Sequence, residues 1–184
     1  MDFLKKEETA LVVVDMQEKL MSAMPETESR FAVKNVKILL EAAGLLGIPV
    51  NVTEQYPKGL GPTIAEIRES AGDGFHPIEK LVFSCARSPE FMDELKGLDR
   101  SSILLCGVET HVCVLQTAID LVNDGYHVFV PADAVVSRKA LDWEKGIELM
   151  DRAGATVGTT ETFLFQLLER AGTDEFRQIS KLVR

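Results

Sequence analysis

Residues 9–15 read TALVVVD, an unbroken apolar and β-branched run that stops at a carboxylate. A strand with no polar alternation can be sheltered only if both of its faces are covered, so it belongs in the middle of a layered structure. The same grammar returns at residues 101–108, SSILLCGV. Shorter versions lie at 50–53, 80–84 (KLVFS), 126–130 and 155–158.

Helical patterns separate these runs. From about Glu28, residues Ala32, Val36, Leu39, Leu40, Ala43 and Leu46 recur at spacings of three and four, making one apolar stripe. Gly47 closes that helix and Pro49 prevents its continuation. Further helices are predicted over 89–96, 110–124 (stripe Val114, Ala118, Leu121), 142–153 (Trp143, Ile147, Met150), 162–171 and 174–182. Strands that alternate with helices cannot pair by tight hairpins, so the chain is expected to be α/β, a largely parallel sheet between two helical layers. The segment 55–76, with Pro57, Gly59, Gly61, Pro62, Gly72 and Gly74, reads as the longest stretch of little regular structure.

At 184 residues, one domain over 1–184 is expected. The charge of −9 without a Lys/Arg cluster opposes nucleic acid and anionic lipid as partners. No apolar run reaches the roughly 18 to 20 residues of a membrane-spanning helix. The charged start of the chain lacks the pattern of a secretory signal, so the expected location is cytoplasmic. Cys85, Cys106 and Cys113 are odd in number and form no C-x-x-C pair, which argues against a disulfide framework and a zinc knuckle. No G-x-G-x-x-G follows the first strand, against a dinucleotide-binding oxidoreductase.

In open parallel sheets ligands gather beyond the carboxyl ends of the strands. Asp15 ends the first strand, and Gly107 to Cys113 joins a later strand to its helix, with Cys113 in the first helical turn. A thiol there faces the positive end of the helix dipole, which predicts a pKa below the free value and a nucleophile beside amides able to stabilise an oxyanion. The plainer reading is a buried cysteine acting as a small hydrophobe. Cys106 lies in an apolar strand and Cys85 has no evident activating group, so structural roles are expected for both. A redox pair of Cys106 and Cys113 would need their Cα atoms within about 7 Å.

Three segments in order decide between the readings: V-V-V-D-M-Q-E-K (12–19), E-K-L-V-F-S (79–84) and L-L-C-G-V-E-T-H-V-C (104–113). Together they resemble the isochorismatase-like cysteine hydrolases over nearly the whole chain. T-E-Q-Y-P-K-G-L-G (53–61) is similar to the isochorismatase-domain-containing branch of bacteria and animals.

The resemblance implies a six-stranded parallel sheet, a homo-oligomer (dimer or tetramer) and a small-molecule substrate. It also implies Cys113 as nucleophile, Asp15 as general base and Lys80 as the supporting cation. A non-proline cis peptide between Val108 and Glu109 is implied as well, with the amides of Glu109 and Cys113 as oxyanion donors. Gln17, Gln55, Tyr56, Phe83, Thr110 and His111 are expected pocket residues, Phe83 having core packing as an equal reading and His111 a capping one. Nicotinamidases of this superfamily bind a metal through Asp-x-His and a following His. Here Glu54-Gln55-Tyr56 occupies that place and His76, His111 and His127 show no ligand spacing, so no metal and no other cofactor is expected. Isochorismatases proper cleave a vinyl ether without a thiol adduct, so the nucleophile pattern points to an amide, carbamate or imide C–N bond. The competing reading is an interaction or scaffold protein with a retired pocket.

Overall fold

The computed structural model describes residues 3–72 and 75–184. Seven strands form one sheet: β1 (Thr9–Val14), β2 (Val50–Gln55), β3 (Ile78–Lys80), β4 (Ser102–Val108), β5 (His127–Pro131), β6 (Val135–Val136) and β7 (Thr156–Gly158). The order is β3-β2-β1-β4-β5-β7, with β6 added to the end of β4, and every strand pair is parallel. The α-helices among the described residues are α1 (Glu18–Met21), α2 (Glu26–Leu46), α3 (Pro57–Leu60), α4 (Ala65–Ala71), α5 (Pro89–Gly97), α6 (Leu115–Asn123), α7 (Ala140–Arg152), α8 (Thr160–Leu168) and α9 (Asp174–Leu182), with short tighter or wider turns at Lys6–Glu8, Cys85–Arg87 and Thr110–Val114.

β1 is buried along its whole length because it feeds two cores. Leu11 and Val13 pack with α2, α4, α8 and α9 on one face, while Ala10, Val12 and Val14 pack with α5, α6 and α7 on the other. The result is the expected α/β/α layering. Chain order reverses between β1 and β4, and a crevice opens at such a switch point.

Four expectations need correction. The sheet has seven strands instead of six, because the two-residue β6 pairs Val135 with Gly107 and Val136 with Val108 and is too short to leave a sequence signal. The third strand is Ile78–Lys80, not residues 80–84: the Lys80 ammonium turns back to the carbonyl oxygens of Val82 (3.3 Å) and Phe83 (3.0 Å), which bends the chain out of the sheet. Leu81 and Phe83 are consequently 75% and 53% exposed, so Phe83 is not a core residue. The segment 55–76 carries α3 and α4 and is not irregular throughout; its Gly74 lies outside the described residues.

Among the described residues no helix is long and apolar enough to cross a membrane.

Candidate active site

Strand register assembles the site. Val14 is level with Thr53 of β2 and with Gly107 of β4, and Gln55 is level with Lys80 of β3. The residues just beyond these rows, Asp15 and the Val108–Glu109 segment, therefore emerge at the same edge of the sheet as Lys80. Asp15 leaves the strand with φ +50°, a left-handed conformation that Asp tolerates better than most residues, and its amide still donates to the Thr53 carbonyl at 3.1 Å.

The Lys80 Nζ donates to Asp15 Oδ2 at 2.6 Å, and both side chains are sealed from water. The ammonium also reaches Gln55 Oε1 at 2.9 Å besides the two carbonyls already named. Burial works to lower the Lys80 pKa, but the charge of Asp15 and the nearby Cys85 and Cys113 sulfurs outweigh it and hold it above its ordinary value. Lys80 is a cation throughout the physiological range. The second Asp15 oxygen, Oδ1, accepts from the Thr53 hydroxyl at 2.7 Å.

Cys113 sits in a widened turn, Thr110–Val114, in which the Glu109 carbonyl accepts from the amides of Val112 (3.0 Å) and Val114 (3.2 Å). The second bond spans five residues, and such π-type turns are frequent at functional sites. Helix α7 presses against the turn at Gly146, where an added Cβ would lie 3.1 Å from the His111 backbone. The Val108–Glu109 peptide is cis.

The thiol behaves differently from the sequence expectation. Burial pushes the Cys113 pKa up, Asp15 raises it further by its charge and by a hydrogen bond, and Lys80 offsets only part. A thiol at a helix start was expected to lose its proton easily, but sequence shows neither the depth of the sulfur nor the carboxylate facing it. The site therefore sets a thiol that holds its proton against the carboxylate of a buried ion pair.

The other expected residues lie at different depths around this cluster. Gln55 is part of the cluster, orienting Lys80 with one end and donating to the Leu81 carbonyl (2.9 Å) with the other. Gln17 stands one layer behind: it donates to the carbonyls of Gln55 and Gly61 and accepts from the Gln55 amide, and it is fully buried. These bonds tie the end of β2 to the segments at Gln17 and Gly61. Tyr56 and Phe83 are both about half exposed, Tyr56 just after β2 and Phe83 just after β3. Thr110 is buried, and its hydroxyl finds no hydrogen-bond partner among the described residues. The His111 ring contacts Ser137 (3.0 Å) and lies 3.9 Å from Asp142. Glu109 is buried and accepts from the Arg138 amide and guanidinium (3.2 and 3.0 Å).

Sequence reasoning singled out neither Thr53 nor Arg138; the structural role it gave Cys85 fits the complete burial of that residue. Cys85 Sγ lies 3.7 Å from Thr53 Oγ1, and the Cys85 amide donates to Thr117 Oγ1 at 2.8 Å. Cys106, by contrast, belongs to the core on the opposite face of the sheet from Cys113, so those two thiols are not a redox pair. No group of three or more His, Cys, Asp or Glu side chains suited to a metal ion occurs among the described residues.

The isochorismatase domain model matches residues 9–162, which include every residue of this cluster. The chain belongs to the isochorismatase family. It is 39% identical over 175 residues to isochorismatase domain-containing protein 2 of Bos taurus, covering 95% of this chain and 82% of that protein. It is 41% identical over 150 residues to the secreted isochorismatase effector Isc1 of Phytophthora sojae, covering 79% and 71%. Among solved structures, MAR1 ribonuclease from Caenorhabditis elegans superposes with a TM-score of 0.91 at 35% identity, covering 99% and 92%. YcaC from Escherichia coli, an octameric hydrolase of unknown specificity, shares the fold with a TM-score of 0.90 at 23% identity, covering 98% and 90%.

Proposed function

We propose that this family member hydrolyses a small amide, carbamate or imide through a covalent intermediate on Cys113. One observation carries the reading: the carboxylate of a fully buried Lys80–Asp15 ion pair lies near enough to the Cys113 thiol for its charge to raise the thiol pKa. Burying two charges is costly, and a fold that needed only stability could place well-packed apolar side chains there. In the proposed cycle the Cys113 sulfur adds to the substrate carbonyl carbon while its proton passes to Asp15. The amides of Glu109 and Cys113 stabilise the oxyanion. Asp15 then gives the proton to the departing nitrogen as the C–N bond breaks, leaving a thioester. A water molecule, deprotonated by Asp15, attacks that thioester and releases Cys113 for the next cycle. Lys80 holds Asp15 in place through their ion pair, with Gln55 fixing the ammonium. Tyr56 and Phe83 offer apolar surface at the entrance.

A library of small amides, ureidoacids and imides, incubated with wild type and Cys113→Ala and followed by intact-mass spectrometry, tests this reading. A mass adduct on Cys113 and turnover lost in the alanine variant are expected. Full turnover by Cys113→Ala rejects the mechanism, and no adduct with any compound favours the scaffold reading. The solved ribonuclease relative makes RNA a necessary arm of the screen. The charge of −9 without a basic cluster argues against phosphate-backbone binding, and no cleavage is expected. We also propose a homo-oligomer, on the exposed apolar side chains Phe31, Leu81 and Leu141 and the octameric YcaC relative; light scattering reads it.

A further inference from the structure

The proposed base must hold one orientation while a proton moves on and off it. Lys80 secures only Oδ2 of Asp15. Oδ1 is held by Thr53, a fully buried residue on the neighbouring strand whose carbonyl also accepts the Asp15 amide. Thr53 thus grips both the backbone and the carboxylate of a residue that has already left strand geometry.

The direction of these bonds follows from counting protons. An ionised carboxylate has none to give, so the Thr53 hydroxyl donates to Asp15 Oδ1 at 2.7 Å. That uses the only proton on the hydroxyl. The 3.7 Å contact between Thr53 Oγ1 and Cys85 Sγ must then be a thiol donating to the hydroxyl oxygen. Burial, only partly offset by Lys80, pushes the Cys85 thiol up to about 11, so it keeps that proton at neutral pH. The chain runs one way, from Cys85 to Thr53 to Asp15.

We infer that Thr53 is a positioning residue for the thiol chemistry: its hydroxyl fixes Asp15 Oδ1 so that the carboxylate keeps its aim at the Cys113 sulfur, with Cys85 as the buried donor that completes the hydroxyl. The inference rests on the proposed roles of Cys113 and Asp15. Without the hydroxyl, Lys80 still neutralises the carboxylate, but rotation of the carboxylate plane is restrained from one side only. Loss of aim at a reacting pair costs rate rather than affinity.

The test uses p-nitrophenyl acetate as acyl donor. The Cys113 sulfur bonds to the acetyl carbon, its proton goes to Asp15, and the ester C–O bond breaks to release p-nitrophenolate, read by absorbance while mass spectrometry locates the thioester. In Thr53→Val, close to isosteric, the maximal acylation rate is expected to fall about tenfold to a hundredfold with little change in the half-saturating concentration. Thr53→Ser restores the rate to within about threefold of wild type, since serine brings back the donor. Thr53→Ala carries the same expectation as valine should the valine variant fail to fold. Wild-type acylation that depends on Cys113, with Thr53→Val equally fast or Thr53→Ser equally slow, overturns the positioning role and leaves the nucleophile reading intact. Wild type acylated no faster than the Cys113→Ala background overturns both.

Discussion

Replacing Lys80 by Met removes the charge while keeping most of the chain length, and it isolates what the buried pair does for stability. The three N–H donors of the ammonium are shared among four acceptors within reach: Asp15 Oδ2, Gln55 Oε1 and the carbonyls of Val82 and Phe83. Neither charged side chain has any exposed surface. After the substitution Asp15 is an uncompensated buried carboxylate that keeps its Thr53 hydrogen bond, and two carbonyls that bent the chain after β3 lose their partner. Breaking a buried pair from one side costs about 3 to 5 kcal/mol. In a chain of this size that lowers Tm by about 6 to 20 °C.

The cause is separable from simple loss of contacts. Adding Asp15→Asn to Lys80→Met neutralises the stranded carboxylate, so the double variant is expected to be more stable than Lys80→Met alone although it carries one more change. Urea unfolding of wild type, both single variants and the double variant gives the cycle directly. The exposed pair Arg87–Asp120, with its guanidinium side 62% exposed, supplies an internal control: Arg87→Ala should leave the unfolding midpoint almost unchanged. A Lys80→Met loss as small as that control, or a double variant destabilised by the full sum of the singles, refutes the reasoning.

Gly107 has φ +114°, and a Cβ there would stand 2.1 Å from the Val14 carbonyl oxygen, so Gly107→Ala should cost about 2 to 6 kcal/mol of strain and overlap by urea unfolding. All three thiols are raised above the unfolded value of 9.0, mainly by burial. The unfolded chain therefore binds fewer protons above about pH 9. Stability should be unaffected by the thiols below that pH and fall by up to about 4 kcal/mol per unit between about pH 9 and 11, with Cys106→Ala making the slope shallower by about 1.4 kcal/mol per unit. A Cβ on Gly59 would lie 2.3 Å from the Tyr56 ring, which is half exposed and free to swing outward. Gly59→Ala should leave stability within about 1 kcal/mol but raise KM with kcat preserved for any amide the protein turns over.

The central strands were legible because burial on both faces forces an unbroken apolar run, and no other local pattern competes with TALVVV or SILLCGV. The helix 26–46 was legible for a related reason, its stripe and its Gly47 stop, observed with φ +67°. KLVFS misled because Leu, Val and Phe imitate a buried strand, whereas the Lys80 ammonium captures the carbonyl oxygens of Val82 and Phe83 and folds the segment outward. The thiol pKa misled because a helix start is a local property, and the carboxylate opposing it comes from nearly a hundred residues earlier in the chain.

These failures share a physical origin. A motif reports what a residue does along its own segment, but this cluster exists only through pairing between segments. Thr53 reaches Asp15 because β2 runs level with β1, and a slip of one residue would turn its hydroxyl to the opposite face of the sheet. Gly107 enters the same argument from the other side. It carries no functional atom, yet only a residue without a side chain lets β4 close on Val14 and bring the Val108–Glu109 segment to the edge where Asp15 emerges. The register of β1 against its two neighbours is therefore as much a part of the site as the sulfur itself. Residues that set that register should prove as intolerant of substitution as those proposed to carry the chemistry.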